Sequence, residues 1–277
     1  MINIIIRKDG IIAKIKNDKY YTSLELAKYI VSKTKEVIGE ENITEYIEPS
    51  AGAGVFLNYL DKPYLAYDIE PEDDRIIKQD YLELELDYKK GRCIIGNPPY
   101  GTRNTLSVRF FKKSIQLGDY ISFILPISQL NNNQQMYEFD LIHSEDLGKQ
   151  IYSDREVHCC FNIYRRNASG EFNKKPNYKL KDVTLTEYRS KKKSIKSDAI
   201  HDYRFCYWGA AIGKEVENKG VYAHEMGVDV LNYDLKDKVI QCLRDVNWHE
   251  VINFTATPAV YQWQVYKYLK EQIPELE

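Results

Sequence analysis

Apolar and polar residues follow two periods along this chain. Ile-Asn-Ile-Ile-Ile-Arg (2–7) and Ile-Ile-Ala-Lys-Ile-Lys (11–16) flank Lys8-Asp9-Gly10. That arrangement predicts a small hairpin with Asp-Gly in the turn. Thr22-Ser23-Leu24-Glu25 then reads as a capping box, with Leu26, Tyr29, Ile30 and Val37 recurring at helical spacing, so 23–38 is expected to be helical. Short strand-like runs follow at Thr44–Ile47, Tyr64–Tyr67, Cys93–Ile95, Ile121–Leu125 and Val157–Tyr164, separated by helical patterns or loops. Strands alternating with helices predict an α/β fold with a largely parallel, doubly wound sheet.

The pattern changes at 167–200, which is polar, Lys-rich and poor in aliphatic residues, and reads as a linker or long hairpin. Beyond it, Leu235, Val239, Cys242, Leu243 and Val246 form an apolar stripe over 234–246. A second helix is expected over 258–272, with Thr257 as N-cap and Pro258 at the first helical position. These features divide the chain into 1–167 and a smaller region, 168–277.

With 277 residues, 43% hydrophobic and 29% charged, the chain can bury a substantial core, which argues against a disordered, collagen-like or disulfide-stapled protein. The longest apolar runs (Ile4–Ile6, Phe123–Ile127) fall far short of the roughly 20 residues of a membrane span. Charge arrives too early for a leader peptide, at Arg7, Lys8 and Asp9. The five cysteines show no metal-ligand spacing, and adjacent Cys159 and Cys160 would point to opposite faces of a strand. Histidines 143, 158, 201, 224 and 249 show neither zinc nor triad spacing. No metal is expected, and a reducing, cytoplasmic setting fits.

Charge is unevenly spread. Asp61–Lys90 carries ten acidic and five basic residues, whereas Arg165–Lys196 carries eleven basic and three acidic. A charge run is ordinarily solvated surface. The alternative is an acidic half that holds a cationic cofactor and a basic segment that meets a polyanion.

Two motifs carry chemistry. Gly96-Asn97-Pro98-Pro99-Tyr100 follows the run Cys93–Ile95. Each proline holds the residue before it extended, so the Asn97 side-chain carbonyl and the Pro98 main-chain carbonyl would form a stiff pair of acceptors suited to a planar NH2 group. Tyr100 could lie against the ring that carries it. The plainer reading is a strand-terminating turn with a buried tyrosine. Glu48-Pro49-Ser50-Ala51-Gly52-Ala53-Gly54-Val55-Phe56 follows Thr44–Ile47, and its small residues let backbone approach a ligand. Asp68 ends the next strand-like run, where a ribose diol is commonly caught, and Asp80 precedes Tyr81 where a third would end. Glu48, Asp68, Asp80 and Asn97 thus fall at four successive strand ends, the edge at which open α/β sheets bind ligands.

At this point the sequence resembles the S-adenosylmethionine-dependent DNA adenine-N6 methyltransferases, with the motif order of their gamma group, over about residues 18–166. Asn97-Pro98-Pro99-Tyr100 is similar to that family's catalytic motif, and Glu48 through Phe56 to its cofactor loop. Tyr20-Tyr21-Thr22-Ser23 resembles the segment that packs over the methionine end of the cofactor, although the family often has Pro where Ser23 stands.

The resemblance implies a Rossmann-like methyltransferase sheet with a C-terminal target-recognition region. It implies transfer of a methyl group from S-adenosylmethionine to N6 of a flipped adenine in double-stranded DNA, and it is compatible with a companion restriction enzyme. Asn97, Pro98, Pro99 and Tyr100 would be catalytic. Tyr21, Thr22, Glu48, Pro49, Ser50, Gly52, Asp68, Ile69, Asp80, Tyr81 and Asn97 would hold the cofactor. Tyr100 and Tyr152 would flank the base. Arg165, Arg166, Lys174, Lys175, Lys191, Lys192 and Lys193 would grip phosphates, and Tyr203, Arg204 and Trp208 belong to the expected recognition region. A protein glutamine-N5 methyltransferase, which shares the Asn-Pro-Pro-Tyr turn, and an RNA base methyltransferase are the alternatives.

Overall fold

The computed structural model describes residues 3–6, 12–15, 22–152, 155–190, 199–217, 221–254 and 257–277, and it resolves into two compact units, Met1–Lys175 and Pro176–Glu277. Residues 168–175 belong to the first: Asn173 donates through its main-chain N–H to the Glu138 carbonyl and through Nδ2 to Asp140 (2.7 Å). Among the described residues no helix is long and apolar enough to cross a membrane.

In the first unit the expected hairpin is present as β1 (Asn3–Ile6) and β2 (Ile12–Ile15). Helix α1 (Leu24–Ile38) begins where predicted, but Ser23 rather than Thr22 is the cap, accepting from the Leu26 N–H at 3.2 Å. Its apolar stripe, Ala27, Ile30, Val31 and Ile38, is buried. The main sheet consists of β3 (Glu45–Glu48), β4 (Tyr64–Asp68), β5 (Ile77–Lys78), β6 (Arg92–Gly96), β7 (Tyr120–Pro126), β8 (Asp140–Tyr152) and β9 (Arg155–Arg165), with α2 (Thr105–Ser114) between β6 and β7. Strand order is β5-β4-β3-β6-β7-β9-β8. The first five strands are parallel, and β9 inserts antiparallel between β7 and β8.

The interiors of the central strands are mostly apolar because both faces are covered. Cys93, Ile95, Ile124, Phe161 and Ile163 pack toward the face that buries α1, whereas Ile94, Phe123, Leu125 and Tyr164 pack with Phe110 and Phe111 of α2. Cys159 and Cys160 take opposite faces, as their adjacency required. Between β3 and β4 the glycine motif leads into a 3-10 turn, Phe56–Asn58.

The second unit has β10 (Val183–Arg189), β11 (Tyr203–Cys206) and β12 (His224–Val230) in an antiparallel sheet of order β10-β12-β11, followed by α3 (Lys236–Asp245), α4 (Trp248–Val251) and α5 (Gln262–Gln272). So 167–200 is not linker throughout: β10 lies within it. Helix α5 starts four residues later than expected. The Pro258 carbonyl and the Val260 N–H bond the main chain at Gly209 and Tyr207, which holds 258–260 extended. Tyr203 is in this unit's core, and Arg204 forms an ion pair with Glu225 in which both side chains are fully buried. Neither is placed to read bases. Trp208 stacks on His224 with ring centroids 5.3 Å apart.

Candidate active site

Sheet order reverses between β3 and β6, and a crevice opens beyond the carboxyl ends of strands at such a switch point. Here the cleft holds about 300 Å³. Its wall includes Thr22, Glu48, Pro49, Ser50, Gly52, Asp68, Ile69, Asp80, Tyr81, Asn97 and Pro99, so the structure brings together nearly every residue assigned to cofactor binding from sequence. Tyr21 lies outside the described residues.

The glycine motif forms a tight loop beneath the cleft. Gly52 and Gly54 have φ of 51° and 70°, and a Cβ on Gly54 would sit 3.2–3.4 Å from Asp73, Leu57 and Arg75 atoms. Asp68 ties this loop to the tip of β4: one carboxylate oxygen accepts from the Gly52 N–H and the other from the Glu70 N–H, both at 2.8 Å. Each oxygen keeps a lone pair for a further donor. Asp80 accepts from the Leu82 N–H at 2.9 Å and stands exposed on the rim. Ile69, 48% exposed, offers an unpaired apolar surface.

The Pro-Pro turn leaves β6 at Gly96. Ser50 Oγ donates to the Asn97 main-chain carbonyl (3.3 Å), joining the turn to the glycine loop, and Asn97 Nδ2 donates to Thr22 Oγ1 (3.3 Å). Asn97 Oδ1 is buried and has no hydrogen-bond partner among the described residues, and the same is true of Glu48 Oε2. Such atoms are uncommon in folded proteins because an unmade buried hydrogen bond costs roughly 1–3 kcal/mol. Glu48 is 2% exposed, and its carboxyl is held well above the usual carboxylate range, first by burial and then by the like charge of Asp68, with Arg75 opposing.

Not every assigned residue reaches the cleft. Pro98 is buried and Pro99 alone of the pair lines the cleft. Tyr100 and Tyr152, expected to flank a base, are 6% and 2% exposed and pack with Cys159 in the core on the α1 side; the Tyr100 hydroxyl and Cys159 Sγ are 3.4 Å apart. The Tyr152 hydroxyl also interacts with the Asn97 amide, so the two rings stand behind the turn in this structure.

Arg165 and Arg166 stand at the wrong end of the sheet for the cleft. Strand β9 runs against its neighbours, so Arg165 pairs with Tyr120 at the start of β7, roughly 20 Å along the strand from the cleft edge at about 3.3 Å per residue. Arg166 is committed to Asp119 (3.1 Å) and to the Ile115 and Gly118 carbonyls, and it packs over Tyr88, Phe139 and Phe172. Lys174 and Lys175 are exposed and follow Asn173, which is anchored near that same edge. Lys191, Lys192 and Lys193 lie outside the described residues.

The sequence reading missed Leu106, Arg109 and Phe110, which line the cleft from α2. Their i, i+3, i+4 spacing is the available signal, since it puts three residues on one helix face beside the Pro-Pro turn. Arg109 is, among the described residues, the one cation on a wall that also carries Glu48, Asp68 and Asp80. Among the described residues no cluster of His, Cys, Asp or Glu is arranged to hold a metal ion.

The strand order, with its inserted antiparallel β9, and the cleft at the switch point define a Rossmann-like doubly wound α/β fold. Comparison with family profiles finds no match, and neither does comparison with curated protein sequences. Solved structures of similar fold include a Pyrococcus horikoshii chain provisionally assigned as an RNA methyltransferase (15% identity over 54% of this chain and 90% of that one, TM-score 0.42). They also include the 23S rRNA methyltransferase ErmE (10% identity, 92% and 100%, TM-score 0.41) and the Synechocystis magnesium protoporphyrin IX methyltransferase with bound S-adenosylmethionine (10%, 54% and 86%, TM-score 0.37). None of these likenesses bears on individual residues or on substrate.

Proposed function

We propose that this chain is an S-adenosylmethionine-dependent methyltransferase whose acceptor is the exocyclic amino group of a nucleic-acid base, N6 of adenine in DNA. The observation that carries this reading is the unpartnered, buried Asn97 Oδ1 on a turn pinned to both the glycine loop and the start of α1. The cleft suits the cofactor: an acidic wall faces a cationic ligand, small residues admit close backbone approach, and Glu48 Oε2 lacks a partner. Asp68 would accept from a ribose diol, Asp80 from the adenine amine, and Ile69 would cover the adenine face. The bound cofactor supplies a methyl group on a sulfonium.

An aromatic amine is a poor nucleophile because its lone pair is delocalised into the ring. A hydrogen bond from N6–H to Asn97 Oδ1 draws the nitrogen toward a tetrahedral shape and releases that lone pair. Positive charge grows on the amine as it attacks, and a fixed carbonyl dipole stabilises it without the need for a strong base. Holding the reacting atoms about 3–3.5 Å apart is the rest of the turn's task. Because Tyr100 and Tyr152 stand beside Asn97, admission of a flipped base requires their rings to move. Arg109, exposed on α2 and on the cleft wall, would be the phosphate contact on the cleft side, in place of Arg165 and Arg166.

The test is transfer of labelled methyl from S-adenosylmethionine to DNA, RNA and protein in parallel. Label in DNA adenine supports the proposal. Label in RNA alone moves the acceptor to the other nucleic acid, and label in protein alone removes the reading.

A further inference from the structure

Resting on the cofactor reading above, we infer that Glu48 holds a proton in the ligand-free protein and surrenders it when the cationic cofactor binds, so that binding releases a proton from this chain. Glu48 ends β3 on the cleft wall, 2% exposed, and its Oε2 has no hydrogen-bond partner among the described residues. A lone carboxylate in that position is poorly solvated, so the neutral form is favoured until a positive charge arrives.

The groups that face it act in the same sense, with one exception. Asp68, at the tip of neighbouring β4, repels a second negative charge. Arg75 opposes, but it is committed to Asp73 at 2.7 Å on the exposed side. On the other neighbouring strand, β6, Ile95 is apolar and Gly96 has no side chain, although an added Cβ at Gly96 would lie 3.5 Å from Glu48 Cγ, so neither offers a counter-charge. Asp80 and Arg109 complete the charged wall from the rim and from α2. A ligand carrying sulfonium and ammonium charges supplies what the wall lacks. In the complex the carboxyl ionises, and its proton leaves to solvent.

The sign follows. Below the pKa of the free carboxyl, binding must displace a proton, so affinity rises with pH by up to about tenfold per unit and levels off above it. The experiment is titration calorimetry of the full chain with S-adenosylmethionine from about pH 4.5 to 7, below the range in which the ligand's own amino group loses its proton, in pairs of buffers with different ionisation enthalpies. Wild type should show a buffer-dependent enthalpy matching proton release, and a dissociation constant that falls with pH and then flattens. Glu48→Gln should show a buffer-independent enthalpy and a flat dissociation constant. Asp68→Asn, which leaves Glu48 in place, should keep the release but move its window to lower pH. An enthalpy identical between buffers in wild type overturns the inference, as does undiminished release from Glu48→Gln. No binding heat at all overturns the cofactor reading itself.

Discussion

The two ends of the first unit's sheet carry similar charged residues and treat them oppositely. At the end where parallel strands start, Arg92 is 4% exposed and bonds Glu45 (2.6 Å) and the carbonyls of Asp87 and Leu117, while Arg166, Asp119 and Tyr88 close a second network. Arg92, Glu45, Arg166 and Asp119 are thus all paired there. At the end where those strands finish, Glu48 and Asn97 are held in place yet each leaves a buried oxygen unmatched. Buried polar atoms without a partner among the described residues also occur off the cleft, at Tyr46, Gln129 and Glu138 for example. What singles out Glu48 and Asn97 is that both stand on the cleft wall, where a ligand can complete them. Charge by itself does not separate the two ends; pairing does.

That contrast breaks most visibly at Asn97. Asn97→Ala should lower the methyl-transfer rate by about 10²–10³-fold, as removal of one group from a charge-stabilising cradle does, while melting temperature and cofactor affinity stay close to wild type. At the opposite end Arg166→Met should cost on the order of 2 kcal/mol of stability in denaturant titration, since it removes the counter-charge of a partly buried Asp119 and the donor to the Ile115 and Gly118 carbonyls, with no specific loss of nucleic-acid affinity. Arg165→Ala, on an exposed position, should stay within about 0.5 kcal/mol of wild type.

Asp68→Ala should weaken cofactor binding about tenfold, or about 1.4 kcal/mol by titration, because the loop amide of Gly52 and the ligand lose the same acceptor. The smallest effect is a gain. Ionising Glu48 costs the folded chain free energy that the unfolded chain does not bear, so its contribution is favourable below the ordinary carboxylate range and is lost as pH rises through the raised folded value. Glu48→Gln should therefore raise the melting temperature at pH 8 by about 2–4 °C, equivalent to about 1 kcal/mol in a chain of this size, with the gain vanishing below about pH 4.

Most of the cleft was legible in the sequence because its residues sit at strand ends, and strand ends are marked by local signals: a glycine pair, a Pro-Pro turn, an acid after an apolar run. The five strands seen in the pattern are all present with boundaries shifted by one or two residues. Strand β8 was not seen, since its thirteen residues are mostly polar and two bulges, at Leu141/His143 and Asp146/Gly148, break the alternation. The roles of Arg166 and Arg204 were hidden for a different reason: whether a guanidinium meets solvent or a buried carboxylate is decided by residues 47 and 21 positions away. Tyr100 and Tyr152 show the same limit, for the direction of a ring behind a turn is set by core partners such as Cys159 and not by the motif.

The most direct measurement is nucleoside analysis of DNA incubated with S-adenosylmethionine and either the wild-type chain or Asn97→Ala. N6-methyl-2′-deoxyadenosine should accumulate with wild type and be nearly absent with the variant, although both bind the cofactor. Equal methylation by the two proteins would contradict the assignment of the Asn97 oxygen as the acceptor that activates the amine.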